Sequence, residues 1–199
     1  MMDAIESKII NENIPEKFES DLAYALSKFS ILQSEQLHFS EAVTSLRESL
    51  GIWQKLAGLN PKKFDHYCAR DLILLGKNYY KLEQLPDAED CYQKALVLCR
   101  KITHEAPEKF EPDLGDALLG LARIFVSQDK LSEAENLYQE ALTLWRKLAE
   151  KDFDYFASDL AATLNNYSYL LKRRQQTSLA EKMHKESQEI LHRMANHDL

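Results

Sequence analysis

The sequence contains few of the residues that interrupt helices. Its 199 residues include only five glycines and five prolines, which argues against a β protein with many turns. No apolar run approaches the roughly 20 residues that a membrane-spanning helix needs. The first ten residues, MMDAIESKII, also lack the long apolar core of a signal peptide. We therefore expect a helical protein with no membrane partner.

The chain also has few cysteines and carries no net positive charge. The three cysteines, Cys68, Cys91 and Cys99, are odd in number and form no C-x-x-C pair. This usage favours a reduced, cytoplasmic setting with the thiols buried among apolar residues. The net charge is −7, and an acidic chain is a poor non-specific binder of phosphate backbones. We therefore expect no nucleic-acid partner.

Sequence motifs of catalytic sites are absent. The chain has no glycine-rich phosphate loop, no G-x-S-x-G and no H-E-x-x-H. His184, His192 and His197 lie near the C-terminus, but their spacing is poor for zinc, and we interpret them as solvated or half-buried helix histidines. The sequence therefore predicts a protein that is not an enzyme, with no cofactor and no metal.

A repeat of 46 residues dominates what is present. The pentapeptide PEKFE begins at Pro15 and again at Pro107, and PKKFD begins midway between them at Pro61. Steps of 46 also connect columns of like residues, among them Phe18, Phe64, Phe110 and Phe156, and Ala42, Ala88, Ala134 and Ala180. We infer four units, 15–60, 61–106, 107–152 and 153–199, preceded by residues 1–14 as a cap or the tail of a preceding repeat.

Each unit has the pattern of two helices. In the third unit, Leu114, Leu118, Leu121 and Phe125 form one helical stripe. Pro112 is interpreted as a helix-start residue. Ser132 with Glu135, and Ser178 with Glu181, are interpreted as capping boxes that open the second helices. The link between the helices is short, so the two must lie antiparallel.

Small residues mark where the two helices cross closely. Gly76, Ala122 and Ser168 on the first helices are expected to face Ala88, Ala134 and Ala180 on the second. One such hairpin cannot bury its apolar faces alone, so the units must stack. This predicts an all-α fold of tandem antiparallel helix hairpins.

These residues resemble the tetratricopeptide repeat. The family pattern matches Leu75-Gly76, Tyr79, Ala88, Tyr92 and Ala95 in the second unit, and Leu121-Ala122, Phe125, Ala134, Tyr138 and Ala141 in the third. The first and fourth units are degenerate. The resemblance covers residues 15–199, and the long period is similar to that of kinesin light chains and of sensor regions in bacterial signalling proteins. It implies a right-handed α-solenoid whose first helices line a concave groove.

The resemblance also implies where a partner binds. Of the 20 first-helix positions that would face the groove, six are basic and two are acidic, although the whole chain is acidic. The candidate peptide-binding residues are Arg70, Lys77, Tyr80, Lys81, Arg123, Asn165, Tyr169, Lys172 and Arg173. We expect a scaffold that binds a protein segment, and an acidic segment would complement these basic residues. The alternative to a binding groove is a solvated helix face that is rich in basic residues only by chance.

Other functions stay open at this point. The chain could instead be a self-associating or regulatory module from a larger signalling protein, and homo-oligomerisation is compatible with its repeats. An RNA-reading helical repeat is disfavoured by the acidic charge and by the period. The sequence names neither the partner nor the pathway.

Overall fold

The computed structural model describes the backbone of residues 2–197 and the side chains of residues 16–196. Over this range the chain forms eight helices and no strand. The helices are α1 Met2–Glu35, α2 Phe39–Leu59, α3 Pro61–Lys81, α4 Leu85–Glu105, α5 Pro107–Ser127, α6 Leu131–Lys151, α7 Phe153–Arg173 and α8 Thr177–His197. The predicted all-α class is confirmed.

Helices α3, α5 and α7, the first helices of the second to fourth repeats, begin 46 residues apart. Pro61 and Pro107 occupy the first positions of α3 and α5, where a missing N–H leaves no hydrogen bond unmade. The start of α7 is capped instead by Asp152, whose side chain accepts from the Tyr155 N–H at 3.1 Å. The prediction for Pro112 is wrong, because α5 begins five residues earlier and Pro112 lies inside it.

The turn between the paired helices has the same backbone in every repeat. Its central residue is left-handed, with φ between 60° and 63°, at Leu37, Glu83, Asp129 and Gln175. At Leu37 the peptide N–H donates to the Ser34 carbonyl at 3.0 Å, and the next N–H donates to the Gln33 carbonyl at 2.8 Å. This pair of bonds is a Schellman motif, which satisfies the last carbonyls of the helix.

The predicted capping boxes are wrong. Helix α6 begins at Leu131, and its N-cap, Lys130, makes no side-chain capping bond. Ser132 is therefore already helical, and so is Ser178 in α8. The Schellman turn fixes where the second helix starts, so a serine cap is not required.

The chain divides into two compact units, the first ending at Ile102 and the second starting at Thr103. In the first, α1, α2 and α3 enclose a core of Ala23, Trp53 and Phe64. The Trp53 ring lies 5.8 Å from Phe64 and stacks on Tyr67 at 4.2 Å between centroids. Helix α3 therefore packs on the preceding repeat mainly through aromatic side chains.

The second unit repeats this packing with α5 to α8. Trp145 of α6 meets Phe156 of α7 at 6.2 Å, and Tyr138 meets Tyr167 at 5.8 Å between ring centroids. Ser168 donates to the Ala180 carbonyl at 2.8 Å. That bond confirms the predicted close contact between α7 and α8.

Ion pairs recur with the same 46-residue step. Within three repeats an acid on the first helix accepts from a lysine on the second. The pairs are Glu19–Lys55 at 2.5 Å and Asp65–Lys101 at 2.8 Å in the first unit, and Glu111–Lys147 at 2.5 Å in the second. Each pair ties the two helices of its own repeat together.

Candidate functional site

Three predicted basic residues form a row along α3 in the first unit. Arg70, Lys77 and Lys81 are all exposed, and spacings of seven and four place them on one side of the helix. Tyr80 is half-buried beside the row. The row therefore presents three positive charges to solvent on an element that the core holds rigidly.

Helix α1 lies against α3 and adds to this surface. Ser27 donates to the Asp71 carboxylate at 2.7 Å, and Ser34 to the Asn78 side chain at 2.8 Å. On α1, Tyr24 is exposed and Lys28 lies over its ring at 5.4 Å from the centroid. An exposed tyrosine and a lysine thus lie on the helix that hydrogen-bonds to α3.

Asp71 is a buried carboxyl that sequence analysis missed. It lies beneath the row, is 1% exposed, and its second oxygen has no partner among the described residues. Burial raises its pKa to about 6, opposed by the nearby hydroxyls of Ser49 and Ser27 and by the charge of Arg70. The sequence contains a signal for this residue. The 46-residue step aligns Asp71 with Ala25, Ala117 and Thr163, so a carboxyl stands in a column that is otherwise uncharged.

In the second unit the predicted residues lie on α5 and α7. Tyr169 is 58% exposed, Lys172 is exposed as well, and Arg123 on α5 is half-buried. Tyr169 and Lys172 are three residues apart on α7, so they project from one side of the helix. Asn165 and Arg173 of α7 are exposed too, but their polar groups bond within the fold.

Two other predicted residues of α7 are engaged within the fold. The Arg173 guanidinium donates to the Val126 carbonyl at 2.7 Å and to the Asp129 carboxylate at 2.8 Å. The Asn165 side-chain oxygen lies 3.3 Å from Nδ1 of His184 on α8. Arg173 therefore holds the end of α5, and Asn165 is directed toward the second helix of its repeat.

The described residues contain no group of three or more His, Cys, Asp or Glu side chains that could hold a metal ion. His184 and His192 are exposed, and the side chain of His197 lies outside the described residues. All three cysteines are buried, and none forms a disulfide. Burial raises the pKa of the Cys68 thiol to about 12 and that of Cys91 to about 11, which keeps both thiols protonated and unreactive at neutral pH.

None of the helices in the described part of the chain carries an apolar stretch long enough for crossing a bilayer.

Comparison with known families identifies the repeat. A model of the tetratricopeptide repeat matches residues 72–147, the segment in which the sequence pattern is strongest. The resemblance inferred from the sequence is thereby confirmed. Proteins with this fold are in general scaffolds for protein–protein interaction rather than enzymes. No curated protein matches the chain in sequence.

Solved structures share the fold over nearly the whole chain. The crystal structure of BtubC (BKLC) from P. vanneervenii has a TM-score of 0.68 at 24% identity and covers 93% of this chain and 68% of that one. The apo form of RapI gives 0.74 at 14% identity, covering 98% and 65%. A Podosopora anserina kinesin light chain protein with TPR-like repeats gives 0.51 at 14%, covering 87% and 96%. The chain spans about two-thirds of BtubC and of RapI.

Proposed function

Since the chain carries tetratricopeptide repeats, we propose that it is a non-enzymatic cytoplasmic scaffold that binds a segment rich in Asp and Glu on its first helices. The observation that carries this proposal is the row of Arg70, Lys77 and Lys81 on α3. Three exposed positive charges on one side of a rigid helix complement an acidic segment running beside them.

Aromatic side chains supply apolar anchors next to the charge. Tyr80 lies beside the row on α3, Tyr24 is exposed on the adjacent helix α1, and Tyr169 lies near Lys172 in the second unit. Tyrosine is favoured at binding surfaces because it offers a large rigid ring with a polar end. The preferred segment therefore has an aromatic or aliphatic residue among its acidic residues.

The geometry ranks the candidate residues. Arg70, Lys77 and Lys81 with Tyr24 and Tyr80 form the primary surface, and Tyr169 and Lys172 form a second one. Arg123 is half-buried, so it contributes through its partly accessible guanidinium. Arg173 and Asn165 support the binding surface through their contacts within the fold and need not touch the ligand.

The test measures peptide binding by fluorescence anisotropy. Labelled synthetic peptides that differ only in their number of acidic residues are titrated with the parent and with Arg70→Glu/Lys77→Glu/Lys81→Glu. We expect the acidic peptides to bind the parent, more weakly at high salt, and to lose at least about tenfold in affinity with the triple variant.

A matched control carries the same charge change elsewhere. Lys94→Glu/Lys182→Glu/Lys185→Glu alters three exposed lysines on the second helices α4 and α8 and should bind like the parent. Equal losses in both triple variants would show that only net charge matters. If neutral and basic peptides bind as well as acidic ones, the proposed preference is wrong.

A further inference from the structure

Helix α1 carries an apolar stripe that faces solvent. Phe18 is 68% exposed, Phe29 53% and Leu32 55%, and Leu22 and Ala25 between them are exposed as well. Their spacings of four, three, four and three residues place all five side chains along one line of the helix, as in a coiled-coil seam.

The same repeat positions are buried where a repeat precedes them. In α3 they are Phe64, Cys68, Asp71, Leu75 and Asn78, all of which are buried. In α7 the position of Phe18 is held by Phe156, which packs on Trp145, and that of Phe29 by Tyr167, which packs on Tyr138. The stripe is therefore a packing surface, and α1 continues without a break from Met2 to Glu35 rather than turning back over it.

Helix α8 is a poor match for this stripe. The repeat register places His184 and Leu191 where α6 has Tyr138 and Trp145. Between them Gln188 is exposed. Head-to-tail stacking of a second copy would thus set an imidazole and an amide against the apolar residues of α1, which burial disfavours.

The stripe complements itself when two copies of α1 run antiparallel. With Phe18 opposite Phe29 of the second copy, Leu22 lies opposite Ala25, whose small side chain allows close approach. The same register brings Asp21 beside Lys28 of the second copy, and two-fold symmetry makes this pair twice. Both charged residues are exposed. They lie on the flank away from α2, because Glu19 and Gln33 on the other flank bond to Lys55 and Ser45 of α2.

We propose that the α1 stripe is a homodimer interface in which two chains pair antiparallel through Phe18, Leu22, Ala25, Phe29 and Leu32, with Asp21–Lys28 pairs setting the register. The two phenylalanines expose on the order of 200 Å² per chain. Even with the leucines and Ala25 added, an interface built around them is smaller than a standard specific interface. The dimer is therefore expected to be weak and to dissociate in the micromolar range.

Sedimentation equilibrium of the full chain across the micromolar range tests the pairing. The parent should be a dimer. Asp21→Lys alone, or Lys28→Asp alone, places like charges together twice and should weaken the dimer at least about tenfold. A mixture of these two variants should dimerise more tightly than either alone. In the mixed dimer, each of the two contacts between positions 21 and 28 joins one basic and one acidic side chain. The double variant Asp21→Lys/Lys28→Asp should pair like the parent.

Thermal unfolding followed by circular dichroism serves as the folding control. At concentrations well below the dissociation constant, where every protein is monomeric, all four should melt alike because both sites are exposed. Phe29→Glu should abolish the dimer without unfolding the chain. A parent that stays monomeric throughout the range would overturn the proposal. So would a dimer that survives Asp21→Lys and Phe29→Glu but is broken by Leu191→Glu, since that result would indicate head-to-tail stacking.

Discussion

Replacing Asp71 with asparagine should stabilise the protein at neutral pH. The carboxyl is 1% exposed, and burial raises its pKa from the ordinary value of 3.8 to about 6. The unfolded chain therefore ionises this group more readily than the native protein does. A difference of about two pKa units corresponds to about 3 kcal/mol between the two protonation states.

The sign of the pH dependence follows from the raised pKa. Below about pH 4 the carboxyl is protonated in both states and destabilises neither. As the pH rises from about 4 to 6, the unfolded state loses its proton first, so native stability falls; above pH 6 the loss is complete. Asparagine keeps an oxygen that can accept from Ser27 and removes the charge. The variant should gain about 1–3 kcal/mol over the parent at pH 7.5 and much less at pH 4.5.

Urea unfolding at these two pH values measures the effect. All other titrating groups are common to both proteins, so the difference between variant and parent isolates Asp71. Asp90→Asn is the matched control, because Asp90 is an exposed acid paired with Lys94, and its loss should change stability by less than about 1 kcal/mol at either pH. An Asp71→Asn protein that is no more stable than the parent at pH 7.5, or whose advantage does not shrink at pH 4.5, would refute the reasoning.

Two backbone predictions test the packing and the turns, both by urea unfolding. A methyl group added at Gly115 would lie 2.4 Å from Cζ2 of the buried Trp145, so Gly115→Ala should cost about 1–3 kcal/mol. A methyl group added at Gly51 meets no atom within 4 Å, so Gly51→Ala should instead gain about 0.5–1 kcal/mol through its higher helix propensity. If both alanine variants were more stable than the parent, the contact between Gly115 and Trp145 would not be tight. Leu37 is exposed and has the left-handed φ of 63° that glycine adopts without strain. Leu37→Gly should therefore stabilise the protein by about 0.5–1 kcal/mol. A loss of stability would show that the leucine side chain itself stabilises the fold.

The all-α class, the antiparallel hairpins and the family could all be predicted from the sequence, because the 46-residue step repeats the packing demands of the core. An alanine column such as Ala88, Ala134 and Ala180 is fully buried since a larger side chain would not fit between the helices. The same step would also have predicted the ion pairs, because Glu19, Asp65 and Glu111 form a column and so do Lys55, Lys101 and Lys147.

Helix ends were predicted less well. Pro112 and Ser132 are both favourable at a helix start, but each lies inside a helix in the structure. In the first case an earlier proline, Pro107, takes the first position. In the second, the hydrogen bonds of the preceding turn fix the start. Local preferences of about 1 kcal/mol are outweighed when packing and turn geometry set the register.

The candidate site was predictable only as far as the repeat register reaches. The register placed Arg70, Lys77 and Lys81 on the exposed side of α3. It could not show that Arg173 spends its donors on Val126 and Asp129, because a long side chain can reach either a ligand or a neighbouring loop from the same Cα position. Which of the two it reaches depends on the distance to the preceding turn.

The two terminal helices show how the same repeat position can have different meanings. Phe18 and Phe64 occupy one column, yet the first is 68% exposed and the second is buried. A helix face that meets only water is expected to be polar, and the exposed face of α8 is polar at His184 and Gln188. Helix α1 instead retains two phenylalanines and two leucines on its open face. Because such a stripe is unfavourable in water, its presence on α1 and not on α8 is what favours the proposed pairing of two α1 helices over head-to-tail stacking.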